Sequence, residues 1–249
     1  MNVQGHPTEC TILYSDNEVC AVIKPPGMFV HPSALDRRVP DCRTYLEHTL
    51  RARLYNVHRI DRPASGVGIY ARSRDAASDI SFQFRERTIK KRYLAVVRGH
   101  LNDVIRADSP IGNERGSDAV PASSRLIPLA HSVVAKPVGK FAEGWFSLVE
   151  VDLETGRPHQ ARRHLKRAGH PIVGDTQHGD PHQNRFVKEF TGWPYLALMA
   201  YSISFRHPAQ DLAITCCAGI PDWWEPLLDG LSLQVPSDIS QDASAVNIT

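Results

Sequence analysis

The sequence predicts an α+β fold built on a mixed, mainly antiparallel central sheet flanked by helices and loops. Three observations lead there. The first is an early pair of β-rich runs, TILY and VCAVI, joined by the turn residues SDNE as in a hairpin. The second is WFSLVEVDLE, which alternates apolar and polar side chains as a half-buried strand does. The third is the order of elements: strands are interrupted by helical patterns without the regular alternation that winds a parallel sheet.

The elements follow in order. KPPG ends the second strand, because two prolines cannot continue a ladder and glycine frees the backbone. Residues 44–53 read as a helix, with Thr44 as N-cap and Glu47 completing a capping box. GVGIYARS is a strand. Ser73 is the N-cap of a helix over 74–87, whose Ala76, Ile80 and Phe84 recur on one face. KRYLAVVRG is a further strand. Residues 100–144 are rich in Gly, Pro and Ser and read as irregular, with short strands at most. RPHQARRHLKRAG is a helix with Pro158 near its first position and Gly169 just past its end. YLALMAYSISF and LAITCCA are strands, and PDWWEPLLDG starts a short helix. Trp223 and Trp224 suit either a core cap or an interface. Nothing divides the chain, so a single catalytic domain over 1–234 is expected, with a disordered tail over 235–249.

Composition excludes several classes. A chain of 249 residues with 42% hydrophobic and 22% charged residues is an ordinary globular composition. No apolar run approaches the ~18 residues of a membrane span. MNVQGHPTEC lacks a basic and then apolar leader, so no signal peptide is expected. Five cysteines without a CxxC pair argue against a disulfide framework or zinc ribbon and for buried thiols in a reducing cytoplasm. The net charge of +2 says little, but its distribution says more. Arg85–Arg98 carries six Lys/Arg and one acid, and Arg157–His170 carries five Lys/Arg, three His and no acid. Such patches suit a polyanion, although basic helix faces are often only solvated.

Three segments can carry chemistry. In HRIDR (58–62), Asp61 sits between two arginines; taken alone, this is more often a loop ion pair than a site. In KKRYLAVVRG, Tyr93 shares a strand face with Lys91, which suits a base stacked beside a held phosphate, but a half-buried strand tyrosine is the simpler reading. In LETGRPHQARRHLKRAGHPIVGD, a turn leads to a helix start bearing Arg157, His159, Arg162 and Arg163, a pattern that favours an anion. His159 and His164 lie five apart with no following Glu, so no metal site is expected.

In this order the segments resemble the pseudouridine synthases of the RluA type. The resemblance rests on KPPGMFVHPS (24–33), HRIDRPASGV (58–67), KRYLAVVRG (91–99) and TGRPHQARRHLKRAGHPIVGD (155–175), and it spans roughly 11–220. Ile60, Ala64 and Ala161 depart from the family pattern without touching a charged position. SALDRRV (33–39) and GDTQHGDPHQNR (174–185), with His178 where most branches carry Tyr, resemble the branch that modifies uridine 65 in the acceptor stem of tRNA. No small S4-type domain precedes the hairpin, which implies a member relying on its catalytic domain alone.

The resemblance implies the pseudouridine-synthase fold with an active-site cleft across the sheet. It implies an isomerase that breaks the N1–C1′ bond of a uridine, turns the uracil and rejoins it through C5. Substrate and product are isomers, so no cofactor is needed. The base must leave its stack, at a few kcal/mol. By resemblance Asp61 is the nucleophile, with attack on C1′ of the ribose or C6 of the uracil as the two routes. Arg162 is its charge partner, keeping the carboxylate ionised. Tyr93 stacks on the target base and is a candidate to take the C5 proton. Arg62 enters the stack or supports the flipped nucleotide. His58 and Arg59 shape the loop and contact RNA backbone, and Lys91 and Arg163 are assigned phosphate contacts from charge alone. Ser65 and Gly66 suit a turn. The partner is structured RNA, tRNA first and rRNA second, with no membrane and no obligatory protein partner. A non-catalytic RNA-binding module and a glycosidic hydrolase, which also uses carboxylates, are the competing classes.

Overall fold

The computed structural model of the protein describes residues 9–32, 41–112, 118–240 and 245–249. SALDRRV lies outside them. In chain order the first elements are β1 (Thr11–Ser15), β2 (Val19–Lys24), α1 (Cys42–Leu50), β3 (Tyr55–Asn56), β4 (Ser65–Ala71) and α2 (Arg74–Arg85). Next come β5 (Lys90–Arg98), β6 (Ile105–Ala107), β7 (Ser124–Val134), β8 (Gly144–Leu153), α3 (Gln160–Arg167) and α4 (Pro181–Thr191). The chain closes on β9 (Leu198–Arg206), β10 (Ala213–Cys217), a 3₁₀ turn at Asp222–Trp224, α5 (Glu225–Gly230), α6 (Ser237–Ser240) and β11 (Val246–Ile248). The fold is α+β with mainly antiparallel pairing, as the sequence predicts.

The chain forms two compact units. One takes the described residues of 1–91, 199–220 and 242–249; the other takes those of 92–198 and 221–241. In the first unit, β2 pairs antiparallel with both β1 and β4. β4 also pairs with β9 in parallel through Ser65–Met199 and Gly66–Ala200, and β10 runs antiparallel to β9. All of β4 is buried, which suits its continuous small and apolar run SGVGIYA. Gly66 has φ +107°, and a Cβ there would run into the Ala200 backbone, so only glycine permits this approach. In the second unit, β8 pairs antiparallel with β5 and β7, and β6 flanks β7.

Helix ends follow local chemistry. Ser73 caps α2 by accepting from the Ala76 N–H at 3.0 Å, and Ala76 and Ile80 are buried. At α1 the cap is Asp41, not Thr44: Asp41 accepts the Thr44 N–H at 2.9 Å, and Glu47 accepts the Leu54 N–H instead of closing a capping box. α3 starts two residues later than its Pro158 suggests. It ends in a Schellman motif, with Gly169 at φ +86° and His170 N–H donating to Leu165 O at 2.9 Å.

Three segments differ from expectation. Within 100–144, β7 runs for 11 residues; its Pro128 obscures the alternation but sits at a register shift, where a strand tolerates proline. α4 carries an Asp180 cap, Pro181 in its first turn and Gly192 past its end, a complete set of signals. The tail is not wholly irregular, because β11 completes the edge of β10 through β-branched Val246 and Ile248. Trp224 is fully buried and meets Trp193 edge-on at 5.7 Å, so this tryptophan pair closes the core of its unit.

Candidate active site

Asp61 lies half-buried in the loop between β3 and β4. It opens a turn closed by the Ala64 N–H, which donates to the Asp61 carbonyl at 3.1 Å. The KPPG loop holds this turn. Lys24 is 1% exposed, and its Nζ donates to Pro25 O (2.9 Å), Met28 O (2.9 Å) and Arg62 O (3.1 Å). The Arg62 carbonyl also accepts the Gly27 N–H at 2.8 Å, while Arg62 Nε donates back to Gly27 O at 2.9 Å. The Arg62 guanidinium then lies over the Phe29 ring, 4.6 Å from its centroid, within cation–π range. Burial pulls Lys24 down to about 8; nearby thiols and Asp61 work in the other direction. KPPG and HRIDR are therefore one clasp around the aspartate. Lys24 stands in the KPPG motif, but a buried lysine with three carbonyl partners leaves no local pattern in the sequence that marks its role.

The neighbouring site residues separate into inner and outer positions. His58 is 8% exposed and stacks on Phe84 at 5.3 Å; burial, reinforced by Lys91, pushes it down to about 3, so the ring is neutral. Lys91 Nζ lies 6.0 Å from the same Phe84 ring. Arg59 and Arg62 are exposed. Charge in this loop is offered by the two arginines, and His58 serves as a packed ring.

In the second unit, Tyr93 is 7% exposed on β5, where it pairs across to Val151. Arg162 is on the buried face of α3. Its Nε and Nη2 donate to the two carboxylate oxygens of Asp175, both at 2.8 Å, and Nη2 also reaches Gln177 Oε1 at 3.2 Å. Asp175 Oδ1 further accepts the N–H groups of Gln177 and His178, each at 2.9 Å. Burial opposes ionisation of Asp175, but Arg162 and these two N–H groups outweigh it and hold the carboxyl below its ordinary value. Asp175 is the partner of Arg162 that reading HRIDR and HQAR alone does not supply. Its signal was the acid of GHPIVGD, the first to follow a basic stretch that contains none.

The other polar residues of this motif are occupied by the scaffold. Gln160 bridges Thr155, the Arg157 N–H, Ser123 O and Ser124 Oγ. His164 is fully buried between Ser124 Oγ and Ser109 O. Arg163 Nη1 donates to Gly112 O at 2.6 Å, and Arg157 Nε to Pro121 O at 3.1 Å. His159 Nδ1 lies 3.0 Å from His178 Nε2. Among the described residues no group of three or more His, Cys, Asp or Glu is placed to hold a metal ion, and all five thiols are free and buried. No helix among them is long and apolar enough to cross a membrane.

A family model described as RNA pseudouridylate synthase matches residues 18–167, which include the Lys24–Asp61 clasp, Tyr93 and Arg162. The chain belongs to the RNA pseudouridylate synthase family. It is 39% identical over 232 residues to tRNA pseudouridine synthase C of Pasteurella multocida, covering 88% of this chain and 94% of that one. It is 35% identical over 237 residues to the protein of the same description in Vibrio cholerae, covering 90% and 96%. The fold is also that of human RNA Pseudouridylate Synthase Domain Containing 1, with TM-score 0.72 at 20% identity over 98% of this chain and 100% of that one. As a member of this family the chain is an isomerase that acts on RNA.

Proposed function

We propose that the protein converts uridine 65 of tRNA to pseudouridine, with Asp61 as the nucleophile. The observation that carries this reading is the 39% identity, over nearly the full length of both chains, to a protein described as tRNA pseudouridine synthase C. The chemistry asks for a carboxylate that is held in place and reaches a base removed from its stack. The clasp from Lys24 and Arg62 supports that role for Asp61, because it fixes the turn that carries the carboxylate. Tyr93 stacks on the target uracil, and Arg162 contributes positive charge whose orientation Asp175 fixes. Arg59, Arg62 and Lys91 hold RNA phosphates or the flipped nucleotide, Arg163 offers a phosphate only the N–H groups that its bond to Gly112 O leaves over, and His58 keeps the loop packed. Buried free thiols suit a reducing compartment, and we assign the enzyme to the cytoplasm.

The test is a map of pseudouridines in total tRNA and rRNA from cells with and without the gene. The proposal expects one pseudouridine, at tRNA position 65, to disappear and to return when the gene is restored. Its persistence, or loss of an rRNA pseudouridine instead, would overturn the assignment.

A further inference from the structure

The end of the β7–β8 hairpin carries features that the reaction does not use. Of the eight large hydrophobic residues exposed among those described, four gather there and on α4: Val133 (48% exposed), Phe141 (43%), Trp145 (50%) and Phe190 (36%). Val133 and Trp145 are direct cross-strand partners, so their side chains share one face. Trp145 stacks on His100 at 4.9 Å, and His100 stacks on His131 at 5.0 Å. The column is fixed: His100 Nε2 donates to Ser132 O at 3.0 Å and His131 Nε2 to Leu101 O at 2.6 Å.

Cations sit over the other exposed rings. Lys136 Nζ lies 4.6 Å from the centroid of Phe190, and Lys140 Nζ lies 5.5 Å from that of Phe141. Arg98 also covers Phe141, but its charge is neutralised by Asp180 at 2.6 Å. Glu143 accepts from Trp145 Nε1 at 3.2 Å. Counting Arg185 and Lys188 against Glu189 on α4, the patch stays positive. Lysine is depleted from the cores of protein–protein interfaces, whereas aromatic rings beside cations are what a nucleic-acid strand needs.

The geometry points to a second RNA-docking surface, on which Trp145 stacks an unpaired base and Lys136 and Lys140 hold the adjoining phosphates of the same substrate RNA. This inference rests on the reading of structured RNA as substrate. Trp145 lies six residues along β8 from Val151, the cross-strand partner of Tyr93, so the surface contributes to binding and not to turnover.

The test measures Kd by anisotropy, and kcat and KM by tritium release, for an unmodified full-length tRNA transcript and for a short hairpin carrying only the target stem. Trp145→Ala should raise Kd and KM for full-length tRNA by ~5–30-fold, with kcat unchanged. Trp145→Phe should restore most of the affinity, and its folding guards against misreading the alanine variant. Lys136→Ala with Lys140→Ala should lower the slope of log Kd against log salt by about 1.5. The hairpin should respond less than ~2-fold to either change. Unchanged Kd for full-length tRNA, or equal losses with both RNAs, would overturn the surface. A change in sedimentation without RNA would also overturn it in favour of a protein contact. Binding that depends on Trp145 without tritium release would instead overturn the tRNA substrate and leave the surface standing.

Discussion

Arg162 and Asp175 are joined by two parallel N–H···O bonds of 2.8 Å, between side chains that are 3% and 0% exposed. Removing one partner leaves the other charge buried. Asp175→Asn should therefore cost ~3–5 kcal/mol in denaturant unfolding, and Arg162→Lys should destabilise as well, because lysine keeps the charge but lacks the two-pronged donor that Asp175 accepts. The pH dependence has a definite sign. A carboxyl held below its ordinary value adds stability that is complete above about pH 4 and is lost as pH falls through the folded value. Asp175→Asn should lack that acid limb, and wild-type stability in this variant would contradict the account.

Lys24 predicts a different profile. Its three carbonyl partners match an ammonium, whereas a neutral amine has two N–H groups. Turnover should decline above about pH 8 as the clasp loosens. Stability should move the other way: the folded state sheds the proton before the unfolded chain does, so Lys24's contribution rises with pH from about 8 to its unfolded value. Lys24→Met should lower kcat by ~10²-fold at every pH through a displaced Asp61, with RNA affinity within ~3-fold. An unaltered kcat would remove the positioning role.

His58 is neutral at working pH, so it gives no cationic contact to RNA. His58→Phe keeps the stack on Phe84 and should leave the salt dependence of RNA binding unchanged. A histidine whose folded pKa is depressed to about 3 costs stability as pH falls below its unfolded value. The variant should therefore exceed the wild type by about 2 kcal/mol at pH 5. A shallower salt slope in the variant would show that His58 does hold phosphate.

Two glycines at positive φ should respond unequally to alanine. Gly169 faces open space, so Gly169→Ala should cost about 1–2 kcal/mol for the left-handed backbone alone. At Gly66 the added methyl meets the Ala200 backbone, and Gly66→Ala should cost more than ~3 kcal/mol or abolish folding. Equal thermal unfolding of the two variants would contradict the β4–β9 approach described above.

Much of the fold is legible because strand and cap signals are local. Ser73, the alternation of β8 and the hairpin turn each declare themselves within a few residues. β7 is hidden by Pro128, which reads as a breaker until its partner strand shows the bulge. β11 is a run of only three residues in an otherwise polar tail and gains its structure from an open edge elsewhere in the chain. The site divides in the same way. HRIDR and HQAR name Asp61 and Arg162, but Lys24 and Asp175 act through carbonyls and a guanidinium that no spacing rule brings near them.

The most direct test of the central claim is tritium release from tRNA labelled at uracil C5, with wild type and Asp61→Asn compared at equal RNA occupancy. The wild type should release tritium with RNA mass otherwise unchanged, and Asp61→Asn should release none with tRNA binding largely retained. Turnover by the asparagine variant, or free uracil from the wild type, would contradict it.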